Sequence, residues 1–176
     1  MKKKRPPQVL VIGDSDPSAE AFRAAIAVGK LIAELKATVI TGGLGGVMEG
    51  ASKGASEAGG TVVGVIPGLD LDSANNQCNV VIPTGSGHAR NILNVQAADV
   101  VIAIGGGAGT LSEMSFAWIY RKPILALKGL GGWSDELADR VIDTRQDKPV
   151  QGCQDMVELE DALRACLIDV GFEVPA

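Results

Sequence analysis

Rings are scarce in this sequence. Trp, Tyr and Phe together number six in 176 residues, so aromatic packing cannot dominate the core. Histidine occurs once, as His88. That excludes histidine-rich metal sites, so no metal ligand set is expected, and it leaves Ser-His-Asp chemistry dependent on a single residue. The three cysteines, Cys78, Cys153 and Cys166, are odd in number, far apart and without CxxC spacing, as expected of a reduced cytoplasmic protein. No apolar run approaches bilayer-spanning length, and no membrane partner is expected. A net charge of −5 offers no broad basic surface to nucleic acid. The basic stretch at residues 2–5 has no apolar segment behind it, so residues 1–7 are expected as a flexible tail rather than a secretory signal. Two nucleotide signatures are also missing. The first strand-to-helix turn, Gly13-Asp-Ser-Asp-Pro-Ser18, lacks the GxGxxG dinucleotide fingerprint, and no GxxxxGK[ST] occurs, which argues against a P-loop NTPase.

Glycine, by contrast, is abundant at 23 residues, which suits tight turns and close backbone approach. Short β-branched runs alternate with helical patterns along residues 8–176, with no linker between them. Strands are expected at 8–12, 38–41, 61–66, 79–82, 99–104 and 123–127, with a last short one near Val150. Helices are expected from an Asp16 cap with Pro17 in first position to about Lys36, with Phe22, Ile26, Leu31 and Leu35 on its apolar face. Others are expected over 46–58, 87–98, 110–120, 133–140 and 157–170. Strands apolar on both faces and separated by helices imply one α/β domain. It is a doubly wound, mostly parallel sheet with helices on both faces.

One internal echo stands out. Gly42-Gly-Leu-Gly45-Gly-Val-Met-Glu49 and Gly106-Gly-Ala-Gly109-Thr-Leu-Ser-Glu113 both fit GGxGxxxE, both follow a strand and both open a helix. Such turns lie at the carboxyl edge of an open sheet, where free N–H groups of a helix start favour an anion. Glycines that merely make tight turns would look the same for either loop alone; the pair tips the balance toward a phosphate-bearing ligand. Thr110-x-x-Glu113 also fits a capping box, which needs no substrate. A carboxylate beside a phosphate cradle serves something cationic in the ligand, for which an oxocarbenium-like ribosyl centre is one candidate. Arg90, in Gly85-Ser-Gly-His-Ala-Arg90-Asn91, is a second candidate, against the commoner fate of a solvated helix-surface arginine.

These stretches, in this order, resemble the LOG (lonely-guy) phosphoribohydrolases, the Rossmann-like "possible lysine decarboxylase" superfamily. The resemblance covers roughly residues 8–130, and its most specific part is PGGxGTxxE, here Gly105-Gly-Gly-Ala-Gly-Thr-Leu-Ser-Glu113. It implies hydrolysis of the N-glycosidic bond of a purine riboside 5′-monophosphate to free base and ribose 5-phosphate, with no cofactor required. It further implies that Glu113 and Arg90 are catalytic. Gly106, Gly107, Gly109 and Thr110 would form the phosphate loop, faced by Gly43, Gly45 and Gly46, with Gly13 and Ser15 beside them. A homodimer or higher oligomer is implied too, with Met114 and Trp118, spaced i, i+4, as the seam, against the commoner role of such a stripe in the core of its own domain. Two positions depart from the pattern. Gly105 replaces the leading proline, which would loosen the loop, and Asn91 replaces the lysine after the arginine. The GGG variant also resembles molybdenum-cofactor carrier proteins, which bind a phosphate-bearing pterin without hydrolysing it. The alternative is therefore a non-catalytic carrier or sensor of a nucleotide or molybdopterin-type ligand.

Overall fold

The computed structural model describes residues 3–175. Seven strands form one sheet: β1 (Gln8–Gly13), β2 (Thr38–Thr41), β3 (Val62–Ile66), β4 (Val80–Pro83), β5 (Val100–Ile104), β6 (Ile124–Leu127) and β7 (Gln151–Cys153). Every neighbouring pair is parallel, in the order β4-β3-β2-β1-β5-β6-β7. The α/β expectation holds, and the sheet is wholly rather than mostly parallel. Six α-helices connect the strands: α1 (Ala19–Glu34), α2 (Val47–Glu57), α3 (Asn91–Ala97), α4 (Ala108–Ile119), α5 (Gly132–Leu137) and α6 (Met156–Asp169).

Strand periodicity divides the core in two, because successive side chains point to opposite faces. On one face Val9, Val11, Val39, Val100 and Ile102 pack against α1, α2 and α6. On the other Leu10, Ile12, Ile40, Val101 and Ala103 pack against α3 and α4. Small residues let α1 and α2 come close: a Cβ added at Gly29 would collide with the Ala51 carbonyl, and one at Gly54 with the Ile26 carbonyl. Of the apolar face expected for α1, Leu31 and Leu35 are buried in the core, but Phe22 and Ile26 are only half-buried, and Ala21, Ala25, Val28 and Ile32 complete the buried side instead.

The helix starts differ from expectation in three places. The helix expected from residue 87 opens as a 3-10 turn over Gly87–Arg90, and α3 itself begins at Asn91. Ser18, not Asp16, caps α1, its Oγ accepting from Ala21 N at 3.1 Å. Gly107, not Thr110, is the cap residue of α4. Thr110 is the third residue of that helix and Glu113 the sixth, so the capping box does not form. Met114 and Trp118 are 0% and 2% exposed in the core between α4 and the sheet. They are therefore not a surface seam; α4 needs that stripe to dock on its own sheet. Of the basic segment expected as a tail, residues 1 and 2 lie outside the described residues. Arg5 grips Asp99 through both Nη atoms at 2.7 Å, and Lys3 Nζ reaches the same carboxylate at 3.0 Å. Burial pushes the Asp99 pKa up, but these hydrogen bonds, with one from Gln8 N, outweigh it and hold it below the usual range.

The sheet runs outward in both directions from the β1–β5 pair. Strand order reverses there, so the connections leave to opposite sides and open a crevice above the carboxyl ends of β1 and β5. Gly13 and Ile104 are paired at that end.

Candidate functional site

A cavity of about 300 Å³ occupies this crevice. Its walls come from the end of β1 (Gly13, Asp14, Ser15), the first glycine loop (Gly42, Leu44, Met48), the turn before α3 (His88, Arg90, Asn91) and the start of α4 (Gly107 to Thr110, with Glu113). Among the residues anticipated from sequence, Gly13, Ser15, Arg90, Gly107, Gly109, Thr110 and Glu113 therefore meet around one space. Gly43, Gly45, Gly46 and Gly106 do not line it. Gly46 lets its loop pass against the Asp14 and Ser15 backbone, and Gly43 sits against Ile66 and Gly64. Gly45 is exposed. Gly106 donates its N–H to Asp14 Oδ2 at 2.8 Å.

Asp14 was not anticipated, and it joins the two loops. Its carbonyl accepts from Val47 N at 2.9 Å, while its carboxylate takes Gly106 N. The only hint in the sequence was its place directly after the first strand. The loop at 68–78 is tied to the same assembly by Asn75, which donates from its backbone N to Gly43 O at 2.7 Å and from Nδ2 to Leu44 O at 3.0 Å.

The start of α4 supplies donors. The first hydrogen bond closed within the helix is Leu111 N to Gly107 O at 3.0 Å, so the N–H groups of Ala108, Gly109 and Thr110 precede the intrahelical ladder and carry the positive end of the helix dipole. Gly105, immediately behind, has φ +61° and donates its N–H to Ser134 Oγ at 2.8 Å. Its replacement of the resemblance's proline therefore does not loosen the loop. It permits a left-handed turn held by Ser134, which proline cannot adopt.

Glu113 is 7% exposed and Arg90 8%. Glu113 Oε1 accepts from Asn94 Nδ2 at 2.7 Å and lies 3.7 Å from Arg90 Nη1. Burial lifts the Glu113 pKa from its ordinary 4.5 to about 7, with Asn94 and Arg90 pulling only partly back. The same burial lowers the Arg90 pKa, against the attraction of Glu113. A 3.7 Å separation is too long for the charge-assisted hydrogen bond that would overcome desolvation. Arg90 is oriented elsewhere: Nη1 donates to Asn91 Oδ1 at 2.6 Å and Nη2 to Gly42 O at 3.5 Å. Asn91 in turn donates to Ser112 Oγ at 2.7 Å. The asparagine at the lysine position thus removes a charge and links the arginine to the α4 start. Asn91 and Asn94 were both overlooked as site residues. With Arg90 they form a buried polar face at spacing i, i+1, i+4, and that spacing was the available signal.

The loop echo extends to the glycines but not to the glutamates. Glu49 is exposed at the third position of α2, while Glu113 is buried at the sixth of α4. Groups of three or more His, Cys, Asp or Glu placed to hold a metal ion are absent among the described residues, and no helix among them is long and apolar enough to cross a membrane.

Similar proteins are found in sequence and in structure. An uncharacterized protein of Archaeoglobus fulgidus is 44% identical over 121 residues, covering 69% of this chain and 80% of its own. The cytokinin riboside 5′-monophosphate phosphoribohydrolase of Mycobacterium tuberculosis is 31% identical, over 86% of this chain and 88% of its own. The solved molybdenum cofactor binding protein of Rippkaea orientalis superposes with a TM-score of 0.84 at 32% identity, covering 94% of this chain and 99% of that one. The glycine loops, the buried Arg90–Glu113 pair and the all-parallel sheet go together with a match of residues 6–159 to one family model, and the chain belongs to the SLOG cluster4 family.

Proposed function

We propose that this protein is a nucleoside 5′-monophosphate phosphoribohydrolase, releasing free base and ribose 5-phosphate. The observation that carries this reading is the buried Glu113 carboxyl lining the cavity beside Arg90, one helical turn below the N–H groups of α4. In its ionised form a carboxylate beside a phosphate cradle repels an anion, so its burial there suits a ligand that also develops positive charge. A ribosyl centre developing positive charge is stabilised by that carboxylate. The similarity to the mycobacterial phosphoribohydrolase supports the same assignment.

In this mechanism the Ala108, Gly109 and Thr110 N–H groups bind the 5′-phosphate, and Arg90 orients the nucleotide. As the bond from C1′ to the base nitrogen breaks, its electron pair leaves with the base. Water adds to C1′, giving up a proton to ionised Glu113, which returns it to the departing base. A carboxyl titrating at about 7 is populated in both forms near neutrality, as this exchange requires. No metal or organic cofactor takes part. The test is incubation with AMP and related monophosphates. Ribose 5-phosphate is expected, and Glu113→Gln should slow its release by about 10²–10⁴-fold while ligand-induced thermal stabilisation persists. No ribose 5-phosphate from any monophosphate, or an undiminished rate in the variant, refutes the reading.

A carrier of a molybdenum-cofactor-type ligand is the second reading, favoured by the 99% coverage of the Rippkaea protein. The same α4 N–H groups and Arg90 suit the phosphate of such a ligand. Its signature is thermal stabilisation by the ligand without turnover.

A further inference from the structure

Among the described residues, two buried side-chain polar atoms have no hydrogen-bond partner: Arg90 Nε and Asn94 Oδ1. Both belong to the small group around Glu113. Unpaired buried polar atoms are rare enough in folded proteins that two at one site call for a reason. Asn94 is 0% exposed and sits on α3, which packs directly over α4. Its Nδ2 donates to Glu113 Oε1 at 2.7 Å, while its Oδ1 is idle.

We propose that Asn94 is the positioning residue that holds the Glu113 carboxyl in both of its protonation states. In the ionised state Nδ2 donates to the carboxylate, as in the structure. In the protonated state the amide turns over, and Oδ1 accepts a hydrogen bond from the O–H of the carboxylic acid. A lysine or arginine at this position would lock the carboxylate form; an aliphatic side chain would favour the acid. An amide is the side chain that serves either, since it presents a donor and an acceptor of nearly equal shape.

The sign of the effect follows from unequal strengths. A hydrogen bond to a carboxylate is stronger than one to the neutral acid, so Asn94 as a whole stabilises the ionised form. The other ionisable groups that face the cavity are Arg90, from the turn before α3, which lies 3.7 Å from the carboxyl, and Asp14 and His88, which line the same space from the end of β1 and that turn. Removing Asn94 leaves burial and these groups unchanged.

The role rests on Glu113 being the reacting carboxyl, but its test does not depend on turnover. In ligand-free full-length protein labelled with carboxyl-¹³C glutamate, the Glu113 resonance is identified by its loss in Glu113→Gln and followed against pH. Asn94→Leu, close in size, is expected to raise the titration midpoint by about one to two pH units. The midpoint of the pH–rate profile for ribose 5-phosphate release should rise with it. Should that variant fail to fold, Asn94→Asp is isosteric. It creates a carboxyl pair that shares one proton, so the Glu113 resonance moves in two well-separated steps. An unmoved midpoint in Asn94→Leu, or a single unshifted step in Asn94→Asp, overturns the inference. A moved midpoint in a protein that releases no ribose 5-phosphate supports the role of Asn94 and refutes the hydrolase reading instead.

Discussion

Glu113 carries a measurable consequence for stability at the scale of one residue. Its pKa is lifted by burial from 4.5 to about 7, so between those values the folded state keeps a proton that the unfolded chain has released. Stability therefore falls as pH rises through that window. The loss is on the order of 3 kcal/mol, absent below about pH 4.5 and complete somewhat above pH 7. Urea unfolding of wild type at pH 5 and 7.5 should show the decline, and Glu113→Gln, which cannot ionise, should not share this component. Gly105 yields a second expectation. With φ at +61° and its N–H bound to Ser134, it cannot become the proline of the motif it resembles without breaking both features. Gly105→Pro is expected to destabilise by about 3 kcal/mol or more, read as a lowered urea midpoint. A variant as stable as wild type would show that the left-handed turn is dispensable.

Helices decide what the repeated motif means. In the first loop the helix begins at Val47, five residues after Gly42; in the second it begins at Ala108, two after Gly106. The glutamates thus fall about 4.5 Å apart along their helix axes, measured from each start. Only Glu113 reaches the depth at which a neighbouring helix covers it. The sequence shows matching letters, but where a glycine-rich turn ends and a helix starts depends on local φ values and on Asp14, which holds Val47 N and Gly106 N in place. The α1–α2 pair yields the expectation at this scale. Gly54→Val would drive a branched side chain into the Ile26 carbonyl, forcing the two helices apart. A destabilisation of about 1–3 kcal/mol is expected from such overpacking, measured by thermal unfolding. An unchanged midpoint would mean the helices separate freely.

Association belongs to the scale of the whole molecule. With Met114 and Trp118 committed to the core, the apolar side chains left on α3 and at the end of α4 are Leu93, Ile119 and Tyr120, 42%, 47% and 40% exposed. The homodimer that the resemblance implies therefore needs a surface other than Met114 and Trp118, and light scattering tests it: twice the chain mass is the expected outcome, and a monomeric wild type refutes it. Strand hydrophobicity, helix spacing and the absence of a linker were enough to determine the α/β sheet and its wrapping on two sides, because burial on both faces is written directly into which residues are apolar. The motif letters likewise singled out Arg90, Glu113 and the α4 loop. Only the tertiary structure decided that the strand order reverses between β1 and β5, bringing residues from four separated segments around one cavity. It also moved the α4 cap to Gly107 and placed Asn94 against Glu113, so that a residue matching a capping box became a buried carboxyl titrating at about 7. The reason is physical: apolar patterning is local along the chain, whereas desolvation and hydrogen-bond partnership depend on which distant segments pack together.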